Sequence, residues 1–310
     1  MPTTFLRKQV RSARTHELTW RYLFNLAPSI EYARARPELQ GEPMRVLADL
    51  NANGVAVTSA QSLFGANSIY DEMASTVDRM EQEHAGVLEL GRASANGLGP
   101  IGKKTYMHKY FGDKQVLEPE SVFTRFALDS RVLRIANAYF GMYTRLRSYN
   151  VWHTFPTKME ARESQLWHRD REDRLILKVF VYLSDVDEGA GPFTYARGTH
   201  LKQWRSPEPA FHLEGNDRRT TDAQMAACVP QEKWMKALGP RGTIIFADTH
   251  GYHKGGHAQE RDRLMYVCMF TSPASNSEEL FDHAGEFSVP PDTETAVALA
   301  RPRPGPWLSL

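Results

Sequence analysis

The sequence predicts a mainly β protein with helical decoration, in which short strands build a barrel or jelly roll. After about Thr144 the chain contains short runs of β-branched and aromatic residues, separated by glycine, proline and aspartate turns. Many short strands joined by turns are typical of barrels and jelly rolls. The earlier part shows helical periodicity, and 310 residues suffice for one large core. We therefore predict one domain over 1–310, with a helix-rich part at 1–143, a barrel core at 144–272 and a tail at 273–310.

The first part is expected to contain helices and one early strand. Gly41–Asn51 reads as a helix, and Val55–Thr58 after it reads as a strand. Across Ile69–Leu88, apolar residues recur at three- and four-residue steps, which predicts a helix with one face packed on the core. Ser121–Phe140 predicts another helix. Gly91–Gly102 is rich in glycine, alanine, serine and asparagine, and predicts a long loop.

The barrel core is expected to carry most of the strands. A polar stretch at 201–240 interrupts it and is interpreted as an insertion over the barrel. The alternating prolines of Pro302–Pro306 predict an extended end to the tail. The runs predicted to be strands are Tyr149–Phe155, Leu175–Leu183, Phe193–Tyr195, Thr243–Phe246 and Leu264–Thr271.

The charge balance argues against partners that a strong electrostatic field would attract. With 38 basic and 37 acidic residues the net charge is +1, too small to concentrate nucleic acid or an acidic membrane. The basic pairs Lys103-Lys104 and Arg218-Arg219 are interpreted as solvated faces. No run approaches the roughly 18 apolar residues of a membrane span, and no apolar segment typical of a secretory signal follows the N-terminal basic residues. The two cysteines match neither a disulfide framework nor a zinc ribbon, and we expect a cytoplasmic protein of unassigned oligomeric state.

The segment Gln165–Asp170 carries the main chemical signal. His168 and Asp170 are two residues apart, so on a strand both side chains point to one face. An imidazole nitrogen and a carboxylate oxygen suit a first-row metal, and a second histidine would complete the face associated with non-haem Fe(II) oxygenases. Such a face leaves positions where a 2-oxo acid and dioxygen can bind. A second His-x-acid pair, His212 and Glu214, lies in the polar insertion and is interpreted as structural.

The surroundings of this pair resemble the phytanoyl-CoA dioxygenase family. The shared features are His168-x-Asp170, the strand that ends in a Leu-Ser-Asp-Val-Asp turn, Gly191–Phe193, Gly198–His200 and Asp248–Gly256. The resemblance extends from about residue 150 to residue 272. It implies a cupin-like double-stranded β-helix, an Fe(II) ion, 2-oxoglutarate as co-substrate, and oxidation of an unactivated C–H bond by dioxygen.

The same resemblance implies a third metal ligand and a carboxylate clamp. The late cluster His250, His253 and His257 must supply the ligand, and the family pattern places it at His253. The pattern places an arginine some ten residues later, which corresponds to Arg263, to hold the far carboxylate of 2-oxoglutarate. A planar guanidinium binds a carboxylate through two parallel hydrogen bonds. His250 stays open as an alternative ligand, and Arg261 as an alternative clamp.

Three further residues are candidates for binding the co-substrate. Lys178 shares a strand face with Phe180 and Tyr182, and an unpaired lysine is costly to bury in so apolar a strand. It therefore needs a carboxylate, such as that of 2-oxoglutarate or a substrate acid, or else a route to solvent at the barrel rim. Gln165 and Thr199 are interpreted as residues that line the pocket.

These features predict an Fe(II)- and 2-oxoglutarate-dependent dioxygenase that hydroxylates or otherwise oxidises a small molecule. Halogenating relatives have a small residue at the position of Asp170, so the carboxylate favours hydroxylation, desaturation or ring formation. The near-neutral charge and the aromatic residues favour a small, partly apolar substrate, such as an intermediate of natural-product biosynthesis. Two alternatives stay open: a barrel metalloenzyme that does not use 2-oxoglutarate, such as an isomerase or hydrolase, and a non-catalytic ligand-binding barrel.

Overall fold

A computed structural model describes residues 16–97, 104–201, 207–214, 217–275, 280–282 and 292–300 of the protein. The α-helices within them are α1 (Glu17–Thr19), α2 (Leu26–Ala35), α3 (Glu42–Asn53), α4 (Ala60–Phe64), α5 (Ile69–Glu83), α6 (Ala85–Ser94), α7 (Val122–Leu128), α8 (Ser130–Phe140), α9 (Asp222–Ala226) and α10 (Thr293–Ala298). A π-helical turn lies at Trp20–Phe24, and 3₁₀ turns lie at Glu163–Gln165, Glu188–Ala190 and Gln231–Lys233. The strands are β1 (Val55–Ser59), β2 (Met107–Lys109), β3 (Gln115–Val116), β4 (Arg145–Thr154), β5 (Leu177–Tyr182), β6 (Thr194–Ala196), β7 (His212–Glu214), β8 (Asp217–Arg219), β9 (Trp234–Lys236), β10 (Thr243–Asp248), β11 (His253–Lys254), β12 (Arg263–Thr271) and β13 (Phe281–Asp282).

A six-stranded antiparallel sheet forms the centre of the fold, in the order β1-β10-β5-β12-β4-β2. Alternation along the strands gives the sheet two apolar faces. On β5, Leu177, Val179 and Val181 point into a core shared with the helices. Phe180 and Tyr182 point the other way, into a second core. Both faces of the sheet are therefore covered, one by helices and one by strands.

A smaller sheet, β11-β6-β9, covers the second face. Phe193 and Tyr195 from the β6 region pack in one core with Phe180. A bridge between His168 and His253 adds the segment before Asp170 to the edge of this sheet. Within the described residues no ladder joins the small sheet to the large one, so the expected closed barrel is not present.

The balance of helix and strand corrects the prediction of a mainly β protein. The described helices hold more residues than the described strands, so the fold is mixed. Buried residues of the N-terminal helices, such as Val46, Met73 and Val77, share one core with the large sheet. The helices are thus a structural layer and not decoration. None of the described helices has the length and apolar character that a membrane crossing requires.

Most predicted elements are present, with breaks that the sequence pattern did not show. The first predicted helix and the strand after it are confirmed as α3 and β1. The helix predicted over Ile69–Leu88 is interrupted at His84, and that over Ser121–Phe140 at Asp129, whose carboxylate accepts a hydrogen bond from the Arg131 amide. The five predicted strands are confirmed as β4, β5, β6, β10 and β12, whereas several others were not predicted, among them β2 at the edge of the large sheet and β11.

The loop and tail predictions need correction, and the predicted insertion has secondary structure of its own. Gly91 lies inside α6, where a side chain would come within 2.8 Å of the Phe155 ring, so this glycine permits close packing and does not mark a loop. The insertion at 201–240 contains the hairpin β7–β8, helix α9 and β9, which completes the small sheet. The predicted tail contains α10, and its Ala298 lies in the main core. Pro302–Pro306 lies outside the described residues.

A buried histidine ties the helical layer to the sheet. His153 on β4 places Nδ1 2.9 Å from the Glu81 carboxylate of α5, and Nε2 2.7 Å from Asp262, which precedes β12. Burial acts to lower the pKa of His153, but hydrogen bonds and charge from Asp262 and Glu81 outweigh it and raise this pKa to about 9. The bridging group is therefore an imidazolium at neutral pH.

The contacts of His153 with Glu81 and Asp262 should make a pH-dependent contribution to the free energy of unfolding. Because the pKa of His153 in the folded protein is raised to about 9 from an ordinary 6.5, the contribution is complete below pH 6.5 and is lost as the pH rises through about 9. His153→Asn should lower the free energy of unfolding at pH 6 by on the order of 2 kcal/mol, and by much less at pH 10. Denaturant unfolding of both proteins at the two pH values measures this. An equal difference at both pH values would contradict the charged bridge.

Candidate metal centre

Two short extended segments place a pair of histidines side by side. The His168 amide donates to the His253 carbonyl at 2.9 Å, and the His253 amide donates to the His168 carbonyl at 3.0 Å. Such reciprocal pairing in an antiparallel ladder puts opposed side chains on one face. The two imidazole centroids lie 4.3 Å apart. Residues 85 positions apart in the sequence are thereby joined by two backbone hydrogen bonds.

A hydrogen bond from Nδ1 to a backbone carbonyl orients each imidazole ring. His168 Nδ1 lies 2.8 Å from the Leu166 carbonyl, and His253 Nδ1 lies 3.1 Å from the Gly251 carbonyl. Because a carbonyl only accepts, both Nδ1 atoms carry the proton and both Nε2 atoms keep a lone pair. Burial lowers the pKa of His253 to about 4 and holds that of His168 well below its usual range. Both rings are thus neutral, as metal ligands must be.

Asp170 completes the cluster. Its amide donates to the Thr249 carbonyl at 2.9 Å, which anchors the segment beside the turn between β10 and β11. One ligand atom from each of His168, Asp170 and His253 lies within 4.8 Å of the other two. In the described residues this is the only group of three or more histidine, cysteine or acidic side chains with such spacing. Two imidazoles and one carboxylate fit a first-row divalent metal.

Glycines allow the close approach of the chain segments that carry these ligands. A side chain at Gly251 would overlap the Tyr195 hydroxyl, which donates to the Asp248 carbonyl at 2.8 Å. Gly256 has φ +74°, and a side chain there would overlap the Pro192 carbonyl. The cluster therefore depends on tight backbone packing between β6 and the turns on either side of β11.

Lys178 is the closest charged neighbour of the cluster. Its Nζ lies 2.6 Å from Asp170 Oδ2, and both side chains are largely buried. Burial acts to raise the pKa of Asp170, but Lys178 and the two histidines hold it well below its usual range. Burial acts to lower the pKa of Lys178, but Asp170 and Glu172 raise it overall. The carboxylate is ionised at neutral pH, and the lysine has its partner within the protein instead of reaching solvent.

A cavity of about 430 Å³ opens beside the cluster. The ligands His168, Asp170 and His253 line it, as do Lys178, Gln165 and Arg263. Gln165 is 3% exposed, and its Nε2 has no hydrogen-bond partner among the described residues. Two of the three further candidates for co-substrate binding, Lys178 and Gln165, therefore line the cavity.

Arg263 is a buried cation next to this cavity, and it is 1% exposed. One terminal nitrogen donates to the Gly255 carbonyl, while Nε has no partner in the described part of the chain. No described carboxylate forms an ion pair with it. Since an unpaired buried charge is costly, the arrangement fits a carboxylate that arrives with a ligand.

The alternative residues lie elsewhere. Arg261 is 65% exposed and pairs with Asp187 at 2.5 Å, so it does not line the cavity. His257 is half-buried and its Nε2 lies 2.9 Å from the Thr157 hydroxyl. Neither His250 nor His257 belongs to the metal cluster. His212 is exposed on β7 and also lies outside the cluster.

Thr199 does not reach the cavity. Its hydroxyl donates to the Ala196 carbonyl at 2.8 Å and accepts from the Tyr252 amide at the same distance. It is fully buried and does not line the cavity. Thr199 thus joins β6 to the turn before β11 and does not line the pocket as predicted.

The interpretation of the two basic pairs as solvated faces is wrong for Lys104 and Arg219, whereas the side chain of Arg218, 40% exposed and paired with Glu208, agrees with it. Lys104 is half-buried and Arg219 is 6% exposed, and both line the cavity with Arg218. Arg219 reaches it because the adjoining Thr220 pairs with Trp167, next to the first ligand. That long-range pairing has no local sequence signal, so only the structure reveals it.

No protein-family model matches the chain, and no curated protein matches it. The fold resembles that of solved proteins. AviO1 from Streptomyces viridochromogenes Tue57 is 17% identical, with 77% of this chain and 99% of that chain covered and a TM-score of 0.51. EctD from S. alaskensis in its apoform is 16% identical, with 80% of this chain and 85% of that chain covered and a TM-score of 0.50. EctD with 2-oxoglutarate and 5-hydroxyectoine is 16% identical, with 82% of this chain and 84% of that chain covered and a TM-score of 0.50.

Metal binding should stabilise the protein through the three clustered side chains. At a free Ni(II) concentration of about one hundred times Kd, the free energy of unfolding should rise by about 2.7 kcal/mol, measured by denaturant unfolding with and without the metal. His253→Ala should abolish this gain, whereas His212→Ala, at an exposed position on β7, should keep it. Equal stabilisation of both variants would exclude His253 as a ligand.

Proposed function

We propose that the protein is an Fe(II)- and 2-oxoglutarate-dependent oxygenase that oxidises a C–H bond of a small molecule. The observation that carries this proposal is the cluster of His168, Asp170 and His253 on a cavity that also holds the buried guanidinium of Arg263, which has no carboxylate partner among the described residues. Two histidines and one carboxylate on one face are typical of non-haem Fe(II) oxygenases. The shared fold with EctD, crystallised with 2-oxoglutarate, supports the choice of co-substrate. In this proposal the two facing sheets are the halves of a double-stranded β-helix.

The residues that line the cavity would bind either the metal or the co-substrate. His168 and His253 present Nε2 to the metal, and Asp170 presents a carboxylate oxygen while Lys178 holds its Oδ2. Arg263 binds the far carboxylate of 2-oxoglutarate, and the free Nε2 of Gln165 donates to an oxygen of the same molecule. These donors exist before the ligand binds, so little reorganisation is needed.

The bound iron would supply the oxidative chemistry: dioxygen is reduced, 2-oxoglutarate is converted to succinate and carbon dioxide, and the substrate C–H bond is oxidised. The apolar side chains of Phe180, Phe193 and Met265 line the cavity beside the charged groups and limit the entry of water. Asp170 supplies a carboxylate where halogenating enzymes need an open position for halide. We therefore propose hydroxylation, desaturation or ring formation as the outcome.

Loss of the carboxylate ligand should stop turnover. Asp170→Ala should abolish the formation of succinate from 2-oxoglutarate and the coupled uptake of oxygen, because iron loses its only anionic protein ligand. An oxygen electrode and chromatography of succinate measure the two quantities in wild type, variant and an Asp187→Ala control, whose exposed carboxylate pairs with Arg261. Unchanged succinate formation in Asp170→Ala, or none in the iron-loaded wild type with a panel of substrates, would contradict the proposal.

Removal of the carboxylate clamp should weaken co-substrate binding. Arg263→Gln should raise the Kd for 2-oxoglutarate about tenfold or more, since a charge-assisted hydrogen bond contributes about 1.5–3 kcal/mol. Calorimetry with the Ni(II)-loaded protein measures this Kd without turnover. Arg261→Gln is the matched control and should bind 2-oxoglutarate as the wild type does. If Arg261→Gln alone lost affinity, the clamp would be Arg261.

A further inference from the structure

The turn between β10 and β11, residues 249–252, contacts both chain segments that carry metal ligands. The Thr249 carbonyl accepts a hydrogen bond from the Asp170 amide at 2.9 Å. The Gly251 carbonyl accepts one from His253 Nδ1 at 3.1 Å. Because Asp170 and His253 are both bonded to this turn, a change in its shape would move two of the three proposed ligands relative to each other.

Asp248, the last residue of β10, closes this turn. Its Oδ1 accepts a hydrogen bond from the His250 amide at 3.0 Å, as is typical of an aspartate that begins a turn. Its main-chain carbonyl accepts from the Gly251 amide at 3.0 Å and from the Tyr195 hydroxyl at 2.8 Å. The side chain and the main chain of one residue therefore fix the path of the turn.

Tyr139 connects the Asp248 carboxylate to the helical layer. Its hydroxyl donates to Asp248 Oδ2 at 2.7 Å, across 109 positions of the sequence. Tyr139 lies on α8, whose Ile135 and Phe140 belong to the main core. The carboxylate is thus bonded through one oxygen to a core helix and through the other to the turn beside the metal centre.

Burial of Asp248 has an energetic cost. The residue is fully buried, and its two carboxylate oxygens are bonded to a hydroxyl and a backbone amide. Burial raises the pKa of Asp248 to about 6, although the hydrogen bonds from Tyr139 and the His250 amide and the charge of Arg169 act to lower it. A buried carboxylate costs more than an apolar side chain of similar size. The turn that Asp248 holds accounts for its presence here.

We propose that Asp248 and Tyr139 are positioning residues of the metal centre. They hold the 249–252 turn in the shape that keeps Asp170 and His253 at metal-binding separation. This inference rests on the proposed function, since it takes the cluster as the metal site. Neither Asp248 nor Tyr139 lines the cavity, so both act through the turn and not by contact with the metal or the co-substrate.

Two tyrosine variants separate positioning from general stability. Tyr139→Phe removes the hydroxyl that donates to Asp248, and Tyr266→Phe removes a buried hydroxyl that donates to the Phe123 carbonyl at 2.7 Å. Both variants should lower the denaturant concentration at the unfolding midpoint to a similar degree. Only Tyr139→Phe should raise the Kd for Ni(II), by about fivefold, which is the size expected for the loss of one hydrogen bond. Calorimetry without denaturant measures this Kd. An unchanged Kd in Tyr139→Phe, or an equal rise in Tyr266→Phe, would overturn the inference.

Variants of Asp248 test the carboxylate itself. Asp248→Ala should raise the Kd for Ni(II) about tenfold or more, as the loss of a group that orients metal ligands does. Asp248→Asn keeps an oxygen that can accept from the His250 amide, and it should recover part of this affinity. The visible absorption bands of the Co(II)-loaded protein should change in Asp248→Ala and Tyr139→Phe and should match those of wild type in Tyr266→Phe. If Asp248→Ala does not fold, Tyr139→Phe and its control still decide.

The outcomes distinguish this inference from the proposed function. If wild type binds Ni(II) and the Tyr139 and Asp248 variants bind it equally well, only the positioning role fails. If wild type binds no Ni(II), the metal centre fails, and both proposals fail with it. If these variants weaken Ni(II) binding while the iron-loaded wild type forms no succinate, the positioning role stands and the oxygenase proposal fails.

Discussion

The reciprocal backbone hydrogen bonds between His168 and His253 are the constraint on which the site depends. They join the segment before Asp170 to β11, and they set the two imidazoles face to face before any metal binds. The carbonyls of Leu166 and Gly251 then turn each Nε2 toward the same space. The metal-binding geometry is therefore a consequence of strand pairing, and the large sheet with its helical layer holds that pairing in place.

Charged side chains determine which ligands the rest of the cavity can bind. Lys178 pairs with Asp170, while Arg263 is buried without any described carboxylate partner. A buried cation without a partner destabilises the free protein, and a ligand carboxylate relieves that cost on binding. The site therefore favours an anion beside Arg263, which suits the far carboxylate of the proposed co-substrate.

Sequence reasoning identified the residues whose signal is local and missed those that depend on distant pairing. The spacing of His168 and Asp170 follows from strand alternation, and the strands of the second half are visible as apolar runs. His253 and Arg263 needed the family resemblance, because no local pattern selects one histidine from a cluster of three. Lys104 and Arg219 were misjudged, since their burial follows from chain segments that meet only in the folded protein. Helix breaks at His84 and Asp129 were missed because the apolar periodicity continues through both.

The most direct test of the account is the position of bound iron. Crystals prepared with Fe(II) in the absence of oxygen, with diffraction recorded at the iron absorption edge, would show the metal by its anomalous signal. We predict one peak bonded to His168 Nε2, His253 Nε2 and a carboxylate oxygen of Asp170. An iron peak away from these three atoms, or one bonded to His250 in place of His253, would contradict it.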